Sequence, residues 1–558
     1  MNSEKIEIPV LIAGGGPVGL AMAVELAHYG IQCLLVERNE TTTRHPKMDL
    51  TNGRCMELFG RTGLADRLRA VGVPEDSSYD IIWASDLKPN SHELHRFCYP
   101  SNQVEYWRRR SQNDGTLTRE APLRVSQILI EPEIRKAAEE AGVDLRFATK
   151  LESFVQDDEG VTATIIEAKT GRTVEVRAKY LLACDGGNST VRNQLGIESD
   201  GRLGAAHMYL VHFRSKAYDV LHKFGQGWHY QTGWGQIVAQ DDREEWTLHC
   251  LVPPDEGFEA IDPRKLITDL LGTNFEFEVL VANPVTLNYQ VAHQYRAGRV
   301  FLVGDAAHQF VPTGGYGMNS GIAEVANLSW KIVAALKGWG GDALLSSYHD
   351  ERQPIAYISK ATSERHLGIR AAIYQLYEAA ADLDADTEEA AHKRLELGRK
   401  IAELGNGENE AWGTEHGYRY DQSPVIPDET GYPPPFDMMT AKPSTWPGSR
   451  LPHMFLADGS AVYDLLGKWF TLLVLADVDT SSIEAAAAKR GVPLEIVRIR
   501  DEKVRQVYEK ALILVRPDQH VAWRGDELPN ITKLGAWRGP DAIINSEVLL
   551  DKVLGLNS

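Results

Sequence analysis

Short apolar runs that end in glycine and pass into helical patterns recur along this chain. Val10-Leu-Ile-Ala13 leads through glycines into the helical pattern Leu20 to His28, Gly30 closes it, and Cys33-Leu-Leu-Val36 opens a second run. That order predicts strand, tight turn, helix and strand. Tyr180-Leu-Leu-Ala-Cys184 and Val300-Phe-Leu-Val303 repeat the theme, the second followed by helical patterns over Gly321 to Leu336, Leu344 to Ile369 and on to about Leu404. Between these runs the period changes to two. Ala206 to Arg214, Gly235 to Gln240 and Glu244 to Val252 alternate, with Asp241-Asp242 as a turn, which predicts an inserted antiparallel sheet. Gly405 to Gly448, with Pro433-Pro-Pro435, predicts a linker or an arm over the surface. Strand and helix patterns resume from Leu451: Trp469 to Ala476, Ile483 to Arg490, Leu494 to Arg498 and Ala511 to Val515. The class is α/β, with an inserted sheet and a second α/β unit at the end.

Three of the turns carry candidate chemistry. Gly14-Gly-Gly-Pro-Val-Gly19 is a GxGxxG between a predicted strand and helix: Gly14 serves the turn, Gly16 lets backbone approach a pyrophosphate, and Gly19 lets the helix pack on the strand. Glu37, at the tip of the second strand, suits a ribose 2′-hydroxyl. Asp185-Gly-Gly-Asn-Ser-Thr-Val-Arg192 places an acid and glycines before a helix that Ser189 can cap, with Asp185 and Arg192 close enough to pair. Gly304-Asp305 ends the third run: Asp305 can accept from sugar-type hydroxyls, and Gly314, Gly315 and Gly317 let backbone approach a flat ring. The helix expected near Met318 and Asn319 would favour negative charge on that ring.

The order of these blocks resembles the single-component flavoprotein aromatic hydroxylases of the para-hydroxybenzoate hydroxylase type. Within that class the wording looks most like the phenol, hydroxyphenylpropionate and polyketide hydroxylases with a C-terminal extension. His45-Pro-Lys-Met48, Arg54-Cys-Met-Glu57, Arg124-Val-Ser-Gln127 and Asn327-Leu-Ser-Trp-Lys331 extend the likeness over most of the chain, while Glu324 stands where the family more often has Asp. The resemblance implies a Rossmann-like FAD-binding domain (1–85, 112–195 and 285–404), an inserted substrate-binding β-sheet domain (86–111 and 196–284), a linker (405–450) and a thioredoxin-like domain (451–558). That last domain has no cysteine, so dithiol exchange is excluded and packing or oligomer contact is its expected role.

For FAD, the resemblance assigns Gly14, Gly16, Pro17 and Gly19 to the pyrophosphate turn, Glu37 to the adenosine ribose and Arg38 to the adenine region. Arg44, Arg124 and Gln127 fall to the pyrophosphate or ribityl chain. Asp185, Gly304 and Asp305 belong to the two later cofactor turns, with Asp305 on the ribityl hydroxyls. Pro312, Gly315, Gly317, Met318 and Asn319 would line the isoalloxazine, Pro312, Met318 and Asn319 being the catalytic candidates. By strand order, Tyr230 and Trp246 are candidates for substrate ring contacts, and His229 and His249 for a phenolic proton; a register slip of one residue would reverse their faces. His308 reads as part of the GD turn.

The implied reaction has two halves. NADPH or NADH reduces FAD, and O2 then forms a flavin C4a-hydroperoxide that hydroxylates a phenolic or other small aromatic substrate. Epoxidation, Baeyer–Villiger oxidation or oxidative decarboxylation of a natural product on the same fold is the first alternative. A non-catalytic flavin-binding interaction module is the second. Arg44 and Lys47 are placed to meet a 2′-phosphate, which leaves NADH against NADPH open.

Composition narrows the partners. The net charge of −19 over 558 residues argues against nucleic acid or an anionic membrane surface. No apolar run is long enough to span a membrane, and the first strand starts too soon for a signal peptide, so a cytoplasmic protein is expected. Five scattered cysteines give neither metal-ligand spacing nor a disulfide framework, and no metal is expected. A homodimer is the family's implication.

Overall fold

The structure is a computed structural model that describes residues 5–46, 49–251, 258, 261–530 and 545–556. Lys47 and Met48 of the HPKM motif and Val252 of the third alternating run lie outside the described residues.

The apolar runs assemble into one sheet with a parallel centre and an antiparallel edge strand, Arg296–Ala297. Its order is Arg296–Ala297, Val300–Leu302, Thr173–Ala183, Lys5–Ala13, Cys33–Val36 and Asp144–Arg146, with the antiparallel strands Val161–Glu167 and Thr149–Gln156 joined to the outer part of Thr173–Ala183. Thr173–Ala183 pairs in parallel with both Lys5–Ala13 and Val300–Leu302, so the three strands that end in the GxGxxG, DG and GD turns finish side by side, and Cys33–Val36 pairs in parallel with Lys5–Ala13. Their residues read as near-continuous apolar because helices cover both faces: Val10, Leu11, Ile12, Leu34, Leu35, Leu181 and Leu182 are fully buried. The helix Pro17–His28 and the long helix Tyr316–Leu336 pack against each other over this sheet.

The alternating runs form an eight-stranded sheet, ordered His308–Gln309, Glu278–Ala292, Ser199–Arg214, Glu245–Leu251, Gly235–Ala239, His229–Gln231, Ile81–Ala84 and Glu93–Phe97. Its share of the chain differs from the sequence expectation. Ile81–Ala84 lies before the boundary at 85, yet pairs in parallel with His229–Gln231, and Glu278–Ala292 runs through the boundary at 284. The turn at Asp241-Asp242 is as expected, with Asp241 Oδ1 accepting from the N–H of Arg243, Glu244 and Glu245.

The last sheet is ordered Leu494–Arg498, Phe470–Val474, Leu512–Val515 and Val521–Gly525; the first two are parallel and the rest antiparallel. With the helices Ser481–Arg490, Glu502–Tyr508 and Ser546–Val553 this is a thioredoxin-like arrangement. The stretch expected to be a linker instead packs inward. Tyr418 and Tyr420 are buried in a small core with Ile355 and Ile426, their rings against His520, and Tyr418 also beneath the Arg352 guanidinium.

The thioredoxin-like unit grips the first domain through the loop Arg516 to His520. Arg516 pairs with Glu351 at 2.7 Å, and Asp518 accepts from Asn327 Nδ2 at 3.2 Å. Arg54 donates to Gln519 Oε1 at 2.5 Å and to the Asp518 carbonyl at 2.8 Å, with Gln519 held at φ +64. No described helix is long and apolar enough to cross a membrane.

Candidate functional site

A single cavity of about 1190 Å³ runs from the GxGxxG turn to the inner face of the eight-stranded sheet. That is above the roughly 300–1,000 Å³ of ordinary small-ligand sites, as a cofactor together with a substrate would require.

At its first end the glycines do different jobs. Gly14 has φ +106, and a Cβ there would stand 2.2 Å from the Cys184 carbonyl oxygen; a Cβ on Gly19 would stand 2.0 Å from the Gly14 carbonyl oxygen. These two hold strand, turn and helix together. Gly16, by contrast, lines the cavity, and a Cβ on it would meet nothing within 4 Å. The helix behind it begins at Pro17 without a side-chain cap, so its first N–H groups face the cradle. Glu37 lines the same end and also accepts from the N–H of Gly15 at 2.6 Å and of Asn39 at 2.8 Å. Arg38 and Arg44 are exposed on the cavity wall, and Gln127 lines it while donating to Glu131 at 2.7 Å.

The two later turns close around the middle. Asp185 lines the cavity, accepts from Val191 N–H at 3.2 Å and keeps Oδ1 buried without a partner among the described residues; burial raises its carboxyl above the ordinary value. Ser189 caps its helix, but Arg192 donates to the carbonyls of Gly187 and Ala306 and makes no hydrogen bond to Asp185. Gly304, at φ +63, lies behind the wall and donates its N–H to Glu324 Oε2 at 2.8 Å, while Asp305 faces the cavity. Glu324 Oε1 stands 2.9 Å from His308 Nε2, both side chains fully buried, so the residue that departs from the family habit supports the GD turn.

Pro312, Thr313, Gly314, Gly315, Gly317 and Met318 line the next part of the wall. Gly314 and Gly315 have φ +86 and +66, and Thr313 Oγ1 fixes the loop to the Ser363 carbonyl at 2.9 Å. The helix here starts at Tyr316, also without a side-chain cap. Asn319 does not reach the cavity: its amide accepts from Asn52 N–H at 3.0 Å and donates to the carbonyls of Leu50 and Gly315 at 3.1 and 2.7 Å. It braces the loop against the strand Leu50–Thr51.

Arg124 is a correction. Its buried guanidinium donates to the carbonyls of Ser78 and Ala239 and pairs with Asp242 at 2.7 Å, so it ties the inserted sheet's turn to the first domain away from the cavity wall. The same holds for Tyr230 and Trp246. Period-two alternation sends His229, Gln236, Val238 and His249 to the cavity, and Tyr230, Ile237, Trp246 and Leu248 to the opposite face, in a separate core. Tyr230 Oη donates to the Gly225 carbonyl at 2.8 Å and Trp246 Nε1 to the Ser215 carbonyl at 3.1 Å. Neither ring lines the cavity.

Several wall residues escaped the sequence reading. Asp49 accepts from Trp228 Nε1 at 2.8 Å and stands 3.5 Å from His229 Nε2. Burial pushes its carboxyl up, but hydrogen bonds from His229 and Trp228 outweigh this and hold it below the ordinary value, as a carboxylate. Gln236, Arg370, Glu408 and Asn409 form the polar end of the cavity. Asp49 directly follows the HPKM motif, which was the available signal; Glu408 and Asn409 sit in the stretch whose composition reads as linker.

The open Gly16 cradle, the two uncapped helices and the unpartnered Asp185 oxygen fit a dinucleotide whose phosphates accept and whose ribityl hydroxyls donate. Comparison with known proteins agrees. The FAD binding domain family matches residues 7–361, and the family described as aromatic-ring hydroxylase, C-terminal, matches residues 444–539. The FAD-dependent monooxygenase apdD of Emericella nidulans is 37% identical, the match covering 93% of this chain and 88% of that protein. A putative polyketide hydroxylase of Streptomyces halstedii is 30% identical over 93% of this chain and 94% of its own. The crystal structure of the flavin-dependent monooxygenase PieE in complex with FAD and substrate superposes with a TM-score of 0.87 at 31% identity, covering 99% of this chain and 100% of that one.

Proposed function

The chain belongs to the FAD-binding aromatic-ring hydroxylase family and is a flavoprotein monooxygenase; from that premise we propose that it uses NADPH or NADH and O2 to oxygenate an electron-rich aromatic ring of polyketide size. One observation carries this reading: the loop Pro312 to Met318 and the polar wall of Asp49, His229 and His249 line the same cavity. Bound FAD would supply the redox chemistry, accepting hydride and activating oxygen.

The chain's own residues would do the rest. Gly14 to Gly19, Glu37, Asp185 and Asp305 would hold the dinucleotide, and Pro312 to Met318 would seat its ring. The apolar sheet positions Met208, Leu210, Val238, Val285 and Leu287 would hold the substrate's carbon skeleton and exclude water. Asp49, kept ionised, would accept the hydrogen of a ring hydroxyl and raise electron density at the carbons ortho and para to it. The full-length matches to named monooxygenases set aside the reading as a non-catalytic flavin module.

The test is anaerobic stopped-flow reduction of the purified yellow protein by NADPH and by NADH, with and without a panel of phenols and hydroxyquinones. Acceleration of reduction by a ring compound that is then hydroxylated on admitting air is the expected result. Reduction that no ring compound alters, with all oxygen recovered as peroxide, would refute it; an epoxide, ester or decarboxylated product would keep the monooxygenase and change the reaction.

A further inference from the structure

A chain of hydrogen bonds enters the polar end of the cavity from behind. Glu408 accepts from Arg370 through both oxygens, with Nη2 to Oε1 at 2.7 Å and Nε to Oε2 at 3.1 Å. Arg370 Nη1 then donates to Gln236 Oε1 at 3.1 Å. A guanidinium has no acceptor, so this contact fixes which way the amide lies. Gln236 Nε2 therefore faces His249 Nδ1, at 3.2 Å.

An amide NH2 only donates, so Nδ1 is the accepting nitrogen of His249 and the ring proton sits on Nε2. Burial lowers the imidazolium pKa to about 4, which keeps the ring neutral near pH 7. His249 Nε2 is buried and finds no partner among the described residues, and neither does Asn409 Nδ2 on the same cavity. A buried donor left unpaired destabilises the empty site, and a ligand acceptor relieves that cost.

We propose that Glu408, Arg370 and Gln236 lock His249 as an Nε2–H donor, so that this end of the cavity favours rings presenting a strong hydrogen-bond acceptor, a carbonyl or ionised oxygen, over the weaker acceptor of a neutral hydroxyl. That class comprises the carbonyl or ionised oxygen of hydroxyquinones and ring-fused 1,3-dicarbonyls. Identifying the occupant as the substrate rests on the monooxygenase reading above. The division of labour follows: His249 cannot take a phenolic proton, because its Nδ1 accepts from Gln236 and its Nε2 already carries the ring proton, and that task falls to Asp49. Arg370 and Gln236 are positioning residues.

Gln236→Glu tests the relay. A carboxylate there would accept from both Arg370 and His249, moving the ring proton to Nδ1 and turning Nε2 into an acceptor. Binding of 2-hydroxy-1,4-naphthoquinone and of 1-naphthol to the FAD-loaded protein would be read from perturbation of the flavin spectrum. The wild type is expected to prefer the quinone about tenfold, a difference of about 1.4 kcal/mol. Gln236→Glu is expected to abolish or invert that preference with FAD content unchanged, and Gln236→Leu, which keeps volume without polarity, to reduce it. Equal affinity of both probes for the wild type, or a ratio that neither variant moves, would overturn the proposal. The readout is binding, so it separates from the monooxygenase reading: a ratio that shifts in a protein forming no oxygenated product would sustain the relay and refute the function.

Discussion

The two ends of the cavity are built on different principles. The cofactor end is made by backbone: glycines at left-handed φ, uncapped helix starts and a few acids at strand tips. The substrate end is made by side chains projecting from a sheet, where identity depends on which face each residue takes. Backbone devices need particular residue types at fixed spacing, whereas sheet walls tolerate many residues and are set by register. One end is therefore general to many dinucleotide sites, and the other is particular to this enzyme.

The sharpest way to probe this contrast is a pair of glycine variants. Gly14→Ala would force a Cβ to within 2.2 Å of the Cys184 carbonyl oxygen at φ +106, and is expected to cost more than about 4 kcal/mol or prevent folding. Gly16→Val should leave the apo-protein within about 0.5 kcal/mol of wild type by thermal melting and remove the yellow flavin absorbance. A Gly16→Val protein that retains FAD would break the assignment of the cradle.

The cofactor end is also braced from behind. Arg54 links the loop Asp518 to Gln519 to the helix Gly53–Gly60, whose cap Asn52 donates to Asn319. Arg54→Met leaves Glu57 and Gln519 without this partner inside the interface and is expected to cost about 3–5 kcal/mol in denaturant unfolding. Acid should loosen the same interface. Burial would raise Glu57 and Glu351, but Arg450 with Arg54 holds the first at about 2, and Arg516 with Lys331 holds the second at about 2, against an ordinary 4.5. Their folded pKa values are depressed, so the stability they contribute is present above the ordinary value and drains as pH falls from there toward 2. Tryptophan fluorescence followed down that range should show the transition; constant stability through it would contradict the pairing.

Smaller effects are expected on the substrate wall. Asp49→Asn should lower turnover about 10²-fold while leaving FAD content and the rate of reduction without substrate intact. Normal turnover would remove Asp49 from the chemistry. Tyr230→Phe should cost about 1 kcal/mol of stability, through its bond to the Gly225 carbonyl, and leave substrate affinity unaltered. A changed affinity would mean the sheet presents its other face.

The same contrast decides what the sequence could tell. The GxGxxG, DG and GD turns and the alternation of the inserted strands were readable because each repeats a local rule. The wall was not. His229 and Tyr230 are adjacent, and only the pairing of Tyr230 with Ile237 and of His229 with Val238 says which enters the cavity. Arg124 looked like a phosphate ligand, yet Asp242 and two carbonyls from distant segments claim it. Arg370 and Glu408 meet only because the supposed linker folds back onto the long helix Asp342–Glu378, a contact with no local signature.

The most direct test of the central claim is turnover of the FAD-loaded enzyme under 18O2 with a hydroxyquinone substrate, read by mass spectrometry. The account predicts a product carrying one labelled oxygen on a ring carbon, formed in step with consumption of the reduced nicotinamide. Nicotinamide consumption with all label in peroxide, or a product whose added oxygen comes from water, would contradict it.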